Sequence, residues 1–182
     1  LCDVDPNTLC LDPKKLESCI TPKTKVIMPV HLYGQSADMD KIMKIAKQHN
    51  LKVLEDAAQG VGVFLNDKHV GTFGDCGILS YYGNKTITCG EGGIVLTDND
   101  EIAKKCYRLK NHGRDRKGIF EHEHIGYNFS FTEMQAAIGI SQMEKLDRIV
   151  EKKNICHEKY KNELTGVGDL HFFNFNESIR PV

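Results

Sequence analysis

The sequence predicts an α/β domain built on a mixed, mostly parallel sheet with flanking helices. Three observations predict it. Short apolar runs alternate with stretches of helical periodicity, Gly, Pro and Asn-Asp signals punctuate them, and 182 residues with 40% apolar content can bury one core. Residues 25–30, Lys-Val-Ile-Met-Pro-Val, follow Thr-Pro punctuation and read as a strand. Residues 40–50 carry Ile42, Met43, Ile45 and Ala46 at helical spacing. The next buried strand, 52–55, delivers Asp56 to the carboxyl edge of the sheet, where open α/β folds place their ligands. Residues 61–65 and 68–70 read as a small hairpin about Asn66-Asp67, and 76–80 and 93–97 as two further strands. Asp98, with Glu101 three residues on, starts a helix to about residue 110. Thr132 with Gln135 opens a long helix through Ala136, Ala137, Ile140, Met143 and Leu146. The expected domain boundary lies near 147–154, dividing a large domain over 1–150 from the start of a smaller carboxyl-terminal domain over 151–182. The chain opens as if in mid-strand at Leu1 and closes without a capped element, so it reads as an internal piece of a longer polypeptide.

Composition excludes several function classes. A formal charge of -1 and a pI near 6.8 give no basic field, which argues against a nucleic acid partner. The seven cysteines are widely spaced with no C-x-x-C pair, as expected of reduced thiols in a cytoplasmic protein rather than a disulfide framework or zinc site. No apolar run reaches the ~18 residues of a membrane span, and there is no export signal. His122 and His124 lack the spacing of a helical metal site, and no metal is expected.

The chemistry concentrates on Lys85. It lies between the strands 76–80 and 93–97 on a loop with Gly83, Gly90, Gly92 and Gly93, which permit close backbone approach to a ligand. An amine on such a loop, with a carboxylate at the end of an earlier buried strand, is what pyridoxal 5'-phosphate requires: a Schiff-base lysine and an anionic partner for the pyridinium nitrogen. The lysine attacks as the neutral amine, which desolvation in a cleft favours. Asp56 supplies the charge; from position alone it reads equally as a strand-end cap or a salt-bridged surface acid. Gln59 is placed to hydrogen-bond the phenolic oxygen, or to be a polar residue at a helix start. Ser80 is placed to donate to the phosphate, or to be a structural strand serine. The loop has neither the G-x-x-x-x-G-K-[ST] order nor the G-x-G-x-x-G of the nucleotide folds.

Taken together, Pro29-Val-His-Leu-Tyr-Gly34, Glu55-Asp56-Ala-Ala-Gln59, Gly74-Asp75, Ser80-Tyr-Tyr-Gly-Asn-Lys85-Thr, Gly90-Glu-Gly-Gly93, Asn111-His-Gly113, Gly126-Tyr-Asn128 and Thr132-Glu-Met-Gln-Ala-Ala137 resemble the DegT/DnrJ/EryC1/StrS family of sugar aminotransferases. The wording around Lys85 is nearest the perosamine and viosamine synthase branch. The resemblance implies the large domain of a fold-type I pyridoxal phosphate enzyme, with Lys85 as the Schiff-base lysine, Asp56 at the pyridine nitrogen, Gln59 at the ring oxygen and Ser80 at the phosphate. It implies a homodimer with shared sites, in which Asn128 reaches the phosphate held by the neighbouring subunit. Glutamate is the implied amino donor, pyridoxamine 5'-phosphate the halfway form, and a nucleotide-linked 4-keto-6-deoxy sugar the acceptor.

Against that family, the amino-terminal stretch with a second phosphate-gripping hydroxyl and a stacked ring has no counterpart here, nor does most of the carboxyl-terminal domain. The basic run with Arg108, Lys110, Arg114, Arg116 and Lys117 reads either as a grip on the nucleotide diphosphate or as a solvated helix face. His112 reads either as a substrate contact or as a surface histidine. Three rivals stand beside the aminotransferase: a related sugar dehydratase, in which histidine replaces the lysine; a non-catalytic cofactor- or sugar-binding relative; and a structural α/β domain without cofactor.

Overall fold

The computed structural model describes residues 1–115, 118, 120–122, 124–173 and 175–182. Its main sheet has four strands in the order β1, β2, β5, β6: β1 Val26–Ile27, β2 Lys52–Asp56, β5 Cys76–Ser80 and β6 Gly93–Leu96. β1, β2 and β5 run parallel, and β6 runs antiparallel to β5. The sheet is therefore mixed and mostly parallel. The first strand is shorter than the apolar run 25–30, yet its pairing resumes beyond Pro29 as a parallel bridge from Val30 to Asp56.

A second, antiparallel sheet has β3 (Phe64–Leu65) between β4 (Lys68–His69) and β7 (Ile179–Arg180). Asn66 and Asp67 close its hairpin with φ of 49° and 59°, the paired left-handed geometry that suits the twist of two-residue hairpin turns. β7 brings the chain's last residues back to its first half, where the Val182 amide also donates to the Gly34 carbonyl at 3.0 Å.

The core forms two clusters. In the first, Met39, Ile42 and Ala46 of α2 (Met39–Gln48) turn one face onto Ile27 and Val53 of the sheet. In the second, Ala57, Val61, Val63, Leu79 and Ile87 pack with Leu146, Ile149 and Val182. A short α1, Pro13–Leu16, adds Leu16 to the first cluster.

Helix α3 spans Asp100–Lys110, and its cap is Asn99, whose Oδ1 accepts from the Glu101 and Ile102 amides at 2.9 and 3.1 Å. The start expected at Asp98 thus moves by one residue, because an amide oxygen at 99 reaches two orphan donors. The Thr132 and Gln135 capping box is formed as expected and opens α4, Glu133–Met143. The long helix expected through Leu146 instead breaks after Met143, and α5 covers Leu146–Leu164 across residue 150 without interruption. Helix α4 buries none of its residues: Met134, Ile138, Ile140 and Met143 are exposed, as are Ile94 and Val95 of β6. No helix among the described residues is long and apolar enough to cross a membrane.

Candidate active site

Strand β2 lies inside the sheet, so its last residue is gripped from both sides. The Asp56 amide donates to the Pro29 carbonyl at 2.9 Å, its carbonyl accepts from the His31 amide at 2.9 Å, and the Ala57 amide donates to the Ile78 carbonyl at 3.0 Å. The Asp56 side chain is half-buried; Oδ1 accepts from the Ala58 amide at 3.1 Å, and the second oxygen has no protein partner among the described residues. The Asp56 carboxylate therefore keeps accepting capacity at the carboxyl edge of the sheet.

Gln59 follows on the turn after β2. Its Oε1 accepts from the Tyr33 amide at 2.9 Å, which fixes the side-chain amide and leaves its NH2 able to donate outward. Ser80 ends β5, two residues past Ile78, the register partner of Asp56. Its Oγ accepts from the Tyr82 amide at 3.3 Å, leaving the hydroxyl hydrogen unspent.

Lys85 sits in the connection from β5 to β6, and the antiparallel pairing of those strands continues into it. The Tyr81 amide donates to the Gly92 carbonyl at 2.8 Å and the Cys89 amide to the Tyr81 carbonyl at 3.1 Å. Buried Ile87 and Cys89 pin the returning limb, and the Lys85 amide donates to the Tyr82 carbonyl at 3.0 Å. The half-buried Lys85 faces a cavity of about 410 Å³ walled by Tyr33, Gln59, Asn84, Thr86 and Lys153, with no acidic residue in its wall among the described residues. Lys153, from α5, donates from Nζ to Thr86 Oγ1 at 3.1 Å.

The structure thus brings Lys85 and Gln59 into one cavity, with Asp56 and Ser80 at the ends of adjacent strands beside it but outside its wall. Asn128 is elsewhere. It is exposed, bridges to Asn111, and lines a separate cavity of about 980 Å³ with Gly93, Tyr107 and Phe129. His112 and Arg114 do not line the Lys85 cavity either. The exposed His112 adopts φ 59°, with its amide donating to the Tyr127 carbonyl at 3.0 Å. The Arg114 guanidinium is spent on Asn111, with Nε to the carbonyl at 3.3 Å and a terminal nitrogen to Oδ1 at 3.1 Å, and it lies 5.3 Å from the Phe120 ring centre. Arg108 pairs with Asp115, and Lys110 lies over the Tyr107 ring. Arg116 and Lys117 lie outside the described residues.

Two residues with structural weight escaped the sequence reading. Glu55, fully buried beside Asp56, accepts four hydrogen bonds: His31 Nε2 at 3.0 Å and the Gly71 amide at 2.7 Å on Oε2, and the Phe73 and Gly74 amides at 2.6 and 2.7 Å on Oε1. Burial pushes its carboxyl up, but the bonds from His31, Gly74 and Gly71 outweigh that and hold it below the ordinary glutamate range. The His31 tautomer is fixed by its other nitrogen, because Nδ1 accepts from the Ala37 amide at 3.1 Å and Nε2 must then carry the hydrogen given to Glu55. A signal was available. In the strand Lys52-Val-Leu-Glu-Asp56, Glu55 shares a face with buried Val53, and an acid on a buried face must find donors.

The profile of the DegT/DnrJ/EryC1/StrS aminotransferase family matches residues 1–179. The chain is 44% identical over 169 residues to a GDP-perosamine synthase of Caulobacter vibrioides, covering 93% of this chain and 46% of that protein. Among solved structures, it is similar to DesV of S. venezuelae, with a TM-score of 0.92 and 32% identity over 99% of this chain and 48% of that one. It is also similar to NtdA of Bacillus subtilis, solved with bound cofactor PMP, with a TM-score of 0.86 and 38% identity over 97% of this chain and 41% of that one. The chain therefore spans about half the length of the relatives it matches.

Proposed function

The chain belongs to the DegT/DnrJ/EryC1/StrS aminotransferase family, and from that premise we propose that the full protein transfers an amino group from glutamate to a nucleotide-linked 4-keto-6-deoxy sugar, giving a 4-amino-4,6-dideoxy sugar nucleotide. The observation that carries this reading is that Lys85 and Gln59 line one cavity with no acidic side chain in its wall among the described residues, beside strand ends that carry Asp56 and Ser80. The likeness to a GDP-perosamine synthase supports the choice of acceptor.

The donor set fits pyridoxal phosphate. Each of the four side chains keeps the atom its role needs: the Lys85 amine, the second Asp56 oxygen, the Gln59 NH2 and the Ser80 hydroxyl hydrogen. When bound, the cofactor supplies the electron sink that lets a C-H bond beside nitrogen break. Asp56 would keep the pyridine nitrogen protonated, Gln59 would donate to the phenolic oxygen, and Ser80 would donate to the phosphate. Lys85 Nζ would hold the cofactor through its aldehyde and, when freed, would serve as the base and acid that moves a proton at the amino-bearing carbon of donor and product. His112 and Arg114 are assigned to the sugar nucleotide, with Arg114 reoriented from Asn111 to do so.

The working unit is a cytoplasmic homodimer in which Asn128 completes the neighbour's site. Its exposure away from the Lys85 cavity and the uncovered apolar face of α4 support this arrangement. The direct test is borohydride reduction of the full-length protein after incubation with pyridoxal phosphate, followed by peptide mapping. A pyridoxyl group on Lys85, absent from Lys85→Ala, is the expected result. No label, or a label on another lysine, would overturn the assignment.

A further inference from the structure

We infer that Lys153 is a second anion-binding residue of the Lys85 cavity, holding an oxyanion of the substrate: a carboxylate of the amino donor or the diphosphate of the sugar nucleotide. The inference rests on the transamination proposed at Lys85. Lys85 and Lys153 line one cavity of about 410 Å³, a volume within the range of small-molecule sites, and with Lys85 committed to the cofactor Lys153 is the cation left to meet a substrate anion. No acidic side chain of the described residues lines the wall, so a ligand anion beside Lys153 meets no competing carboxylate side chain there. Neither lysine has an ion-pair partner among the described residues.

Helix α5 arranges this separation. Three of its four acids, Asp147, Glu151 and Glu158, line a different cavity with Phe64 and Arg180, and Lys153 does not. At about 100° per residue, these three acids fall within roughly 40° of one another and Lys153 lies roughly 120–160° round the helix from them. Lys153 is thus turned away from those three acids, and its Nζ donates to Thr86, the residue after Lys85. The Thr86 hydroxyl orients Lys153 Nζ without neutralising it, and it occupies one of three donors, leaving two for a ligand. Gln59 and Asn84 add side-chain amides to the same wall. A helix-borne cation, a loop-borne amine and two amides make a receptor for an anion whose reacting carbon must lie at Lys85.

The test uses the full-length holoenzyme and its Lys153→Met, Lys153→Gln and Lys153→Arg variants, with calorimetric titration of two unreactive probes. Glutarate stands for the donor and inorganic pyrophosphate for the sugar nucleotide. Loss of a charge-assisted bond is expected to weaken one probe by about tenfold or more in Lys153→Met and Lys153→Gln, with Lys153→Arg recovering most of it. Weakening of glutarate assigns Lys153 to the donor, and weakening of pyrophosphate assigns it to the acceptor. In the matching half-reaction the half-saturating concentration should rise while the limiting rate stays within about threefold, the mark of uniform binding. If the methionine variant fails to fold, the glutamine variant, which retains a polar donor at the end of its side chain, carries the test. Binding of both probes within twofold of wild type in the neutral variants, or no binding of either by wild type, overturns the inference. Probe binding needs no turnover, whereas failure of the proposed function is read separately, as an unlabelled Lys85 in wild type.

Discussion

Replacing Glu55 by glutamine keeps its volume and removes only its charge and one acceptor oxygen. In the wild type, each carboxylate oxygen accepts two hydrogen bonds from fully or partly buried donors. A glutamine NH2 must face one of those pairs, either His31 Nε2 with the Gly71 amide or the Phe73 amide with the Gly74 amide. His31 cannot relieve the first case by changing tautomer, because its Nδ1 already accepts from the Ala37 amide. Two donors are therefore orphaned either way. At about 1–3 kcal/mol for each buried unsatisfied donor, the loss is about 2–6 kcal/mol, a large share of the ~5–15 kcal/mol that holds a typical domain folded.

Native-state amide exchange in the full-length protein reads this directly, since Gly71, Phe73 and Gly74 should lose protection along with the fall in unfolding temperature. The exposed pair Glu101 and Lys104 supplies the control, where Glu101→Gln should change stability by less than about 0.5 kcal/mol. The pH dependence has a definite sign. Because Glu55 titrates below the ordinary range when folded, its stabilisation is complete above the unfolded value of ~4.3 and is lost as pH falls through the depressed one. The gap between wild type and Glu55→Gln should therefore close on acidification, as protonation puts a donor on the same carboxyl. A Glu55→Gln protein as stable as the control, with unchanged exchange at the three amides, would refute the reasoning.

Gly77→Ala should be strongly destabilising, because the new Cβ would lie 2.2 Å from the Gly71 carbonyl oxygen, a backbone atom that cannot swing aside. Thermal unfolding should show a loss of about 1–3 kcal/mol or more, and a neutral result would contradict the close β5 approach. His69 gives a second pH response. Its Nε2 accepts from the Gly62 amide at 3.1 Å and its Nδ1 donates to the Val70 carbonyl, so the folded protein holds it neutral, and burial pushes its titration down. Stability from this group is complete above ~6.5 and falls as pH drops below that value. Denaturation midpoints at several pH values should show the slope in wild type and its loss in His69→Gln.

Strands β2 and β5 were legible because their composition and their turns agree: β5 was read at its observed limits and β2 to within one residue. The hairpin turn was legible because Asn66 and Asp67 tolerate left-handed φ. Periodicity misled at the junction of α4 and α5, where Ile140, Met143 and Leu146 continue a helical stripe with no Gly or Pro to mark a break. What breaks it is tertiary: the Lys145 amide turns back to the Gln142 carbonyl at 3.0 Å, and Leu146 and Ile149 swing into the second core cluster. Likewise β7 exists by virtue of pairing with β3, more than a hundred residues earlier, which no local pattern announces. Of the residues that line the Lys85 cavity, Lys85 and Gln59 were singled out from the sequence by their place on loops after buried strands. Lys153 was not, because a lysine on a charged helix shows its cavity only once the helix has a rotation.

Asp56 and Glu55 are neighbours held in opposite ways. Glu55 is fastened through both oxygens of its side chain, whereas the Asp56 peptide groups are fastened on both edges of the strand and one of its carboxylate oxygens has no protein partner among the described residues. The address of position 56 therefore does not depend on what it carries, while the identity of position 55 cannot change without loosening the sheet. A substitution at position 56 should therefore leave the strand where it is, whereas one at position 55 should loosen the loop 71–74 that its carboxylate ties down.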